Sequence, residues 1–241
     1  MSTHRHIYPD LDTAAEACAR YTRGLLEDVL AGQEFATLAV SGGSSPKALF
    51  TRLAALPFRW DPVHLFWVDE RCVPPDDPAS NYKLADDYLI RLARIPHRQT
   101  HRIQGELPPE TAAKAYVQEI REFFNLEAGE LPHFDIVHRG MGPDAHTASL
   151  FPGEPLIANR DGIAAAVYAP QFSQWRVTLL PGVLLAAKHT VFLVAGANKA
   201  EAVRAVFQEE YDPMKYPAQI ATHHGRCVTW FLDQAAAALL D

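Results

Sequence analysis

The stretch Val137-His-Arg-Gly-Met-Gly-Pro-Asp-Ala-His-Thr-Ala-Ser-Leu-Phe-Pro-Gly153 decides the reading of this chain. Residues 134–137 read as the end of a buried strand, and Gly140 and Gly142 then turn the backbone sharply. Asp144, His146, Thr147 and Ser149 follow before a short helix signal runs out at Pro152-Gly153. Glycine permits unusual angles and close approach to a ligand, while these polar residues supply donors, acceptors and one titratable ring. A polar loop at the carboxyl end of a strand is where an open α/β sheet binds its ligands.

Working outward, strand-like and helix-like segments alternate. Towards the amino terminus, 110–124 is an amphipathic helix, and 95–109 is irregular with a short edge strand around 101–103. A helix over 81–92 follows the proline-rich loop 74–78, and the strand 63–68 closes on Asp69-Glu70-Arg71. The strand 35–40 is broken by Ser41-Gly-Gly-Ser-Ser-Pro46, with Pro46 as the first residue of a helix to 56. A helix over 11–30 is expected, capped by Asp12 or Thr13.

Towards the carboxyl terminus, 163–168 is apolar, 176–180 is a strand, and Pro181 starts a helix to 187. Residues 190–195 read as a strand, 197–208 as a helix, and 211–220 as loop with at most one helical turn. A short strand at 227–229 and a terminal helix over 230–240 complete the pattern. With no internal repeat, low-complexity tract or dividing linker, this predicts an α/β fold. It is a single-domain Rossmann-like layered fold over 1–241, with a mainly parallel sheet flanked by helices.

A hydrophobic content of 48% with 21% charged residues places the 241-residue chain among globular proteins with one sizeable core. The net charge of −7 argues against a general affinity for nucleic acid, while leaving room for a local positive pocket. Cys18, Cys72 and Cys227 are widely spaced and odd in number, which fits a reducing compartment, with Cys18 on a helix face. No apolar run approaches the ~20 residues of a membrane span, so no membrane partner and a cytoplasmic location are expected. A monomer or weak homo-oligomer is the expected state.

Four constellations carry possible chemistry. The loop Ser41, Gly42, Gly43, Ser44 between strand and helix turns backbone N–H groups towards one point, an anion-binding arrangement. It matches neither a Walker loop nor a dinucleotide fingerprint, and an ordinary strand-to-helix turn is the alternative. In the second, Arg71 is either fixed in a structural ion pair with Asp69 and Glu70 or reaches a phosphate. In the latter case the acids orient it or bind sugar hydroxyls. Asn81 is placed to help hold that loop.

In the third, His146 is a general base, since a free imidazole titrates at ~6.5, or a satisfied core histidine. Asp144 either orients the ring or caps a helix. No metal-binding spacing surrounds His146, the G-x-S-x-G elbow is absent around Ser149, and the pair His223-His224 is expected to face water. The fourth is Arg176 with Lys199. Each alone reads as a surface charge; together with Arg71 they make a cationic site suited to a small phosphorylated ligand.

Several of these stretches together resemble the 6-phosphogluconolactonases, within the wider glucosamine-6-phosphate isomerase/deaminase superfamily. They are the Ser41-to-Pro46 loop, Phe66-Trp-Val-Asp-Glu-Arg-Cys-Val-Pro-Pro75 with Ser80-Asn-Tyr82, the Gly140-to-Gly153 loop and Gly196-Ala-Asn-Lys-Ala200. Val228-Thr-Trp-Phe-Leu-Asp233 adds to the likeness. The Asp-x-His-Thr-Ala-Ser-Leu-Phe-Pro segment is the specific part. The resemblance implies hydrolysis of 6-phospho-D-glucono-1,5-lactone with neither metal nor organic cofactor. It further implies His146 as the catalytic histidine and Asp144 as the residue that orients the site. Ser41, Gly42, Gly43, Ser44, Arg71, Arg176 and Lys199 are implied to hold the phosphate.

The family usually has glycine where this chain has Ala145, and an apolar pair followed by Leu-Gly where it has Val137-His-Arg-Gly140. A left-handed backbone at 145 would cost alanine roughly 1–2 kcal/mol. Two alternatives stand beside the lactonase: an amino-sugar phosphate isomerase/deaminase and a non-catalytic sugar-phosphate sensor. The first typically continues to Asn-Glu-Pro after its histidine, whereas Thr147-Ala-Ser-Leu-Phe-Pro152 follows here.

Overall fold

All five residues of β2 (Ala36–Val40) are buried, as expected of a strand covered on both faces. The computed structural model, which describes residues 2–241, builds outward from this strand. Before it come β1 (Ser2–Tyr8) and α1 (Leu11–Leu30). After it come α2 (Ser44–Ala55), β3 (Val63–Trp67) and β4 (Asp69–Arg71). Next are α3 (Asn81–Ala85), a π-helical segment Asp86–Ile90, α4 (Arg91–Ala93), β5 (Thr100–His101) and α5 (Pro109–Phe124). β6 (Ile136–Arg139), β7 (Ala164–Ala169), β8 (Gln174–Leu179) and α6 (Pro181–Ala186) follow. β9 (His189–Val194), α7 (Ala200–Gln208), α8 (Gln219–His224) and β10 (Cys227–Asp233) end the chain.

The main sheet is parallel throughout, in the order β1-β10-β9-β6-β2-β3-β5. From β2 the chain moves towards β3 and β5, whereas from β6 it moves towards β9 and β10. The loops after β2 and β6 therefore diverge and leave a crevice at the carboxyl edge. The strands alternate between two apolar layers. Leu193 and Phe231 join the larger one, while Phe192, Val194 and Trp230 face a second layer with Val203 of α7.

A smaller antiparallel sheet, β4-β8-β7, closes one side of the crevice. Val68 is the joint between the sheets: its N–H donates to Val40 O at 2.9 Å, and its carbonyl accepts from Leu179 N at 2.8 Å. The Tyr116 hydroxyl of α5 pins this joint by donating to Trp67 O at 2.7 Å and accepting from Trp67 N at 2.9 Å.

The α/β expectation with a mainly parallel sheet holds, with several local corrections. Asp10, not Asp12 or Thr13, caps α1; Thr13 completes a capping box by bonding back to it. Pro46 is the third residue of α2, which begins at Ser44. A missing N–H is tolerated there because first-turn donors have no intrahelical partner. The 81–92 helix is interrupted by the π segment, and the apolar segment 163–168 and the strand expected at 176–180 fall in β7 and β8 of the small sheet. The sequence stretch 211–220 ends inside α8.

Two larger corrections concern the ends and the central loop. Residues 227–233 form one buried strand, not a short strand plus a terminal helix. A doubly buried strand is a continuous apolar run that periodicity cannot separate from a helix. The Asp233 carboxylate accepts from Gly196 N and Ala236 N and ends the strand in turns. β1 had no apolar signal because it is an exposed edge strand. No helix follows Gly142: Ala145 and Ala148 have φ of 62° and 52°, which a right-handed helix excludes.

Candidate active site

The crevice encloses about 290 Å³. Ser41, Gly42, Gly43, Ser44, Asp69, Arg71, His146, Arg176 and Lys199 all line it. The tertiary structure thus brings together nine of the ten candidate residues from five separate segments. The tenth, Asp144, stands behind His146 and borders a second, shallower cleft with Phe151, Glu154 and Tyr168.

One end of the crevice is cationic. Gly43 takes φ of 118°, which glycine allows, and α2 starts uncapped by any side chain, with Ser44 and Ser45 of its first turn lining the cleft. Gly42 is fixed by space, because a Cβ there would lie 1.7 Å from Asn81 Oδ1. Asn81 Nδ2 donates to Asp69 O at 2.8 Å, while its Oδ1 is buried without a partner beside the cleft.

Arg71 and Arg176 face each other across the β4–β8 pair. Arg71 Nη1 donates to Ala79 O at 2.6 Å. The Arg176 guanidinium lies 4.8 Å over the Phe172 ring and 3.9 Å from Asp69 Oδ2. Burial lowers the Arg176 pKa, and the Asp69 charge opposes that shift. The Nε atoms of both arginines are buried without partners, leaving donors unspent at this end.

The acids on β4 divide the labour. Asp69 Oδ2 accepts from Ser149 Oγ at 2.7 Å, and Ser149 is buried and does not line the cleft. Glu70 accepts from the N–H groups of Arg71, Asn81 and Tyr82 and from Ser80 Oγ, all within 2.9 Å. It anchors the loop and does not line the cleft, whereas Arg71 does. Among the described residues Arg71 forms no ion pair with Asp69 or Glu70, so the structural ion pair expected as one alternative is not made.

At the other end, His146 Nδ1 lies 2.5 Å from Asp144 Oδ1, which also accepts from His146 N at 3.2 Å. Burial acts to raise the Asp144 pKa, but the hydrogen bonds and charge of His146 outweigh it and hold the carboxyl below its ordinary value. Gly142 is required here too, since a Cβ would meet His146 Nδ1 at 2.0 Å and Asp144 Oδ1 at 2.4 Å. The ring packs on Phe151 at 4.6 Å between centroids. Lys199 is half-buried and lines the crevice; burial lowers its pKa, and the Asp144 charge counters this.

His223 and His224 are exposed, packed with Tyr211, and lie outside the crevice. Among the described residues, no three His, Cys, Asp or Glu side chains are grouped to hold a metal ion, and no helix is long and apolar enough to cross a membrane. Sequence reasoning missed Phe172 and Phe151 as aromatic supports for Arg176, because only folding brings them beside it. The Ser80-Asn-Tyr82 stretch did carry a signal for Asn81.

A family model described as glucosamine-6-phosphate isomerases/6-phosphogluconolactonase matches residues 9–230. The 6-phosphogluconolactonase of Nostoc is 39% identical over 206 residues, covering 85% of this chain and 85% of the relative. The human 6-phosphogluconolactonase is 38% identical over 210 residues, covering 84% and 80%. Among solved structures, the 6-phosphogluconolactonase of Trypanosoma brucei aligns with a TM-score of 0.90 at 25% identity, over 100% of this chain and 99% of that one.

Proposed function

The chain belongs to the glucosamine-6-phosphate isomerase/6-phosphogluconolactonase family, and on that premise we propose that it hydrolyses 6-phospho-D-glucono-1,5-lactone to 6-phospho-D-gluconate, a step of the oxidative pentose phosphate pathway. The observation that carries this reading is one cleft with a carboxylate-oriented imidazole at one end and two arginines at the other.

With Nδ1–H donating to Asp144, His146 presents Nε2 as the acceptor. The imidazole takes a proton from a water placed over C1 of the lactone, and the oxygen attacks the carbonyl carbon. Negative charge gathers on the former carbonyl oxygen, where loop N–H groups or a cationic side chain stabilise it. The C1–ring-oxygen bond then breaks as the imidazolium returns its proton to the departing oxygen. Asp144 favours the charged intermediate and fixes the ring angle. No covalent intermediate is required, because water is the nucleophile.

The phosphate end supplies orientation. Arg71, Arg176, Lys199 and the Ser41–Ser44 loop hold the phosphate remote from C1, so that binding energy aligns the reacting carbonyl. Asp69 keeps Arg176 in place. The reading takes the chain as one domain acting in the cytoplasm, as a monomer or weak homo-oligomer. Its net charge of −7 speaks against a polyanionic partner.

The test is turnover of freshly generated 6-phosphogluconolactone, corrected for spontaneous hydrolysis, with wild type and His146→Ala side by side. A loss of at least about 100-fold in the folded variant is expected for removal of a general base. The unphosphorylated lactone should be a much poorer substrate. Equal rates on both lactones would overturn the phosphate assignment. Turnover of an amino-sugar phosphate instead would move the chain to the isomerase/deaminase branch, and activity on neither would leave a sensor.

A further inference from the structure

We propose that Arg139 is a positioning residue for His146, fastening through Thr147 the strained loop that carries the imidazole. The proposal deepens the lactonase reading and rests on it for its kinetic consequence. Arg139 is the last residue of β6 and only 1% exposed. Its Nε donates to Thr147 Oγ1 at 2.9 Å, and that hydroxyl donates to Gly140 O at 3.1 Å. The bond thus ties the end of the strand to the residue after His146 and back to the start of the same loop.

Nothing else at this position calls for a cation. Among the described residues no carboxylate pairs with Arg139, its Nη1 is buried without a partner, and burial alone draws its pKa down to about 9. The guanidinium lies 5.1 Å over the Phe192 ring, which stacks on Trp230 at 3.8 Å and 2°. This aromatic stack, built by the β6-β9-β10 register, partly compensates the buried charge. Such burial is costly, and an apolar side chain would fill the space without the cost. What only a polar side chain provides is the donor to Thr147.

The loop has a reason to require that donor. Ala145 and Ala148 flank His146–Thr147 with φ of 62° and 52°, and left-handed alanines persist only where their surroundings over-determine them. Glycine at 145 would adopt the angle freely. The alanine at 145 and the arginine at 139 therefore belong together: one strains the loop and the other fastens it.

The experiment measures kcat and KM for the lactone in Arg139→Leu, Arg139→Lys and the double variant Arg139→Leu/Ala145→Gly, all full-length. It also follows hydrogen exchange at the Gly142 amide, which donates to His146 O at 2.9 Å. Arg139→Leu is expected to lower kcat at least tenfold with KM within twofold, and to speed Gly142 exchange at least tenfold. Lysine at 139, or glycine at 145 in the leucine background, should restore most of both. If Arg139→Leu does not fold, Thr147→Val removes the same hydrogen bond and should give the same pattern. Unchanged kcat with unchanged Gly142 exchange would overturn the proposal, as would a loss that glycine at 145 fails to relieve. If wild type does not turn over the lactone, the functional reading fails, and the exchange measurement alone decides whether Arg139 fastens the loop.

Discussion

Ala145 shows how much one methyl group matters when the backbone is left-handed. The residue is fully buried with φ of 62°. Glycine would relieve about 1–2 kcal/mol of strain. Against that stand about 0.8 kcal/mol for the buried methyl and about 0.4–1 kcal/mol for the freer unfolded chain. These contributions nearly cancel, so Ala145→Gly should unfold in urea within about 1 kcal/mol of wild type. A loss of ~2 kcal/mol or more would mean that the angle stores no strain. The sequence placed Ala145, His146 and Asp144 in one loop but could not give φ at 145, because the apolar layer that buries Ala145, shared with Met141 and Trp230, forms only on folding. Gly142 was legible as a turn; that its missing Cβ makes room for the Asp144–His146 pair was not.

At the scale of elements, local signals were strongest where a side chain answers its own backbone. Thr13 N donates to Asp10 Oδ1 at 2.8 Å, which satisfies a first-turn donor of α1 within the segment itself. Asp10→Ala should therefore cost about 1 kcal/mol in chemical unfolding while leaving lactone turnover as in wild type. An unchanged midpoint would mean that the capping box is not formed in solution. Elements whose state depends on neighbours were harder to read. β10 and the helix expected over 230–240 share an apolar run, and pairing with β9 and β1 selects the strand. The loop after β6 ends its helix signal for the same kind of reason: Gly142 N bonds His146 O, and Ala218 N bonds Ala145 O from across the molecule.

Across the whole molecule, burial of neutral histidines sets a pH dependence. Burial, aided by the charges of His101 and Arg98, pushes the His64 pKa down to about 4, and burial alone pushes His138 to about 3. Burial also lowers His189. Because these pKa values are depressed in the folded state, the unfolded chain takes up protons first as the pH falls below ~6.5. Stability is then present in full above that value and is lost progressively as the pH falls towards 4 and 3. His138 has both ring nitrogens buried without partners. His138→Val should therefore be more stable than wild type below pH 6 and show a shallower fall with acid. A slope equal to wild type in urea unfolding between pH 6.5 and 4 would contradict this.

By itself the sequence determined the alternation of strands and helices, the glycine-bearing loops at strand ends, and the residue types able to bind phosphate and move a proton. These are properties of near neighbours: periodicity, turn chemistry and caps act over a few residues. Only the tertiary structure decided the strand order and its reversal between β2 and β6, which opens the crevice. It alone set Arg71 opposite Arg176 and made Glu70 an anchor while Asp69 holds Ser149. It also put a buried arginine beneath the histidine loop. Those outcomes depend on contacts between residues far apart in the chain, such as Asp69 with Ser149 and Arg139 over Phe192. Local pattern has no access to them, because the partners meet only when the sheet assembles.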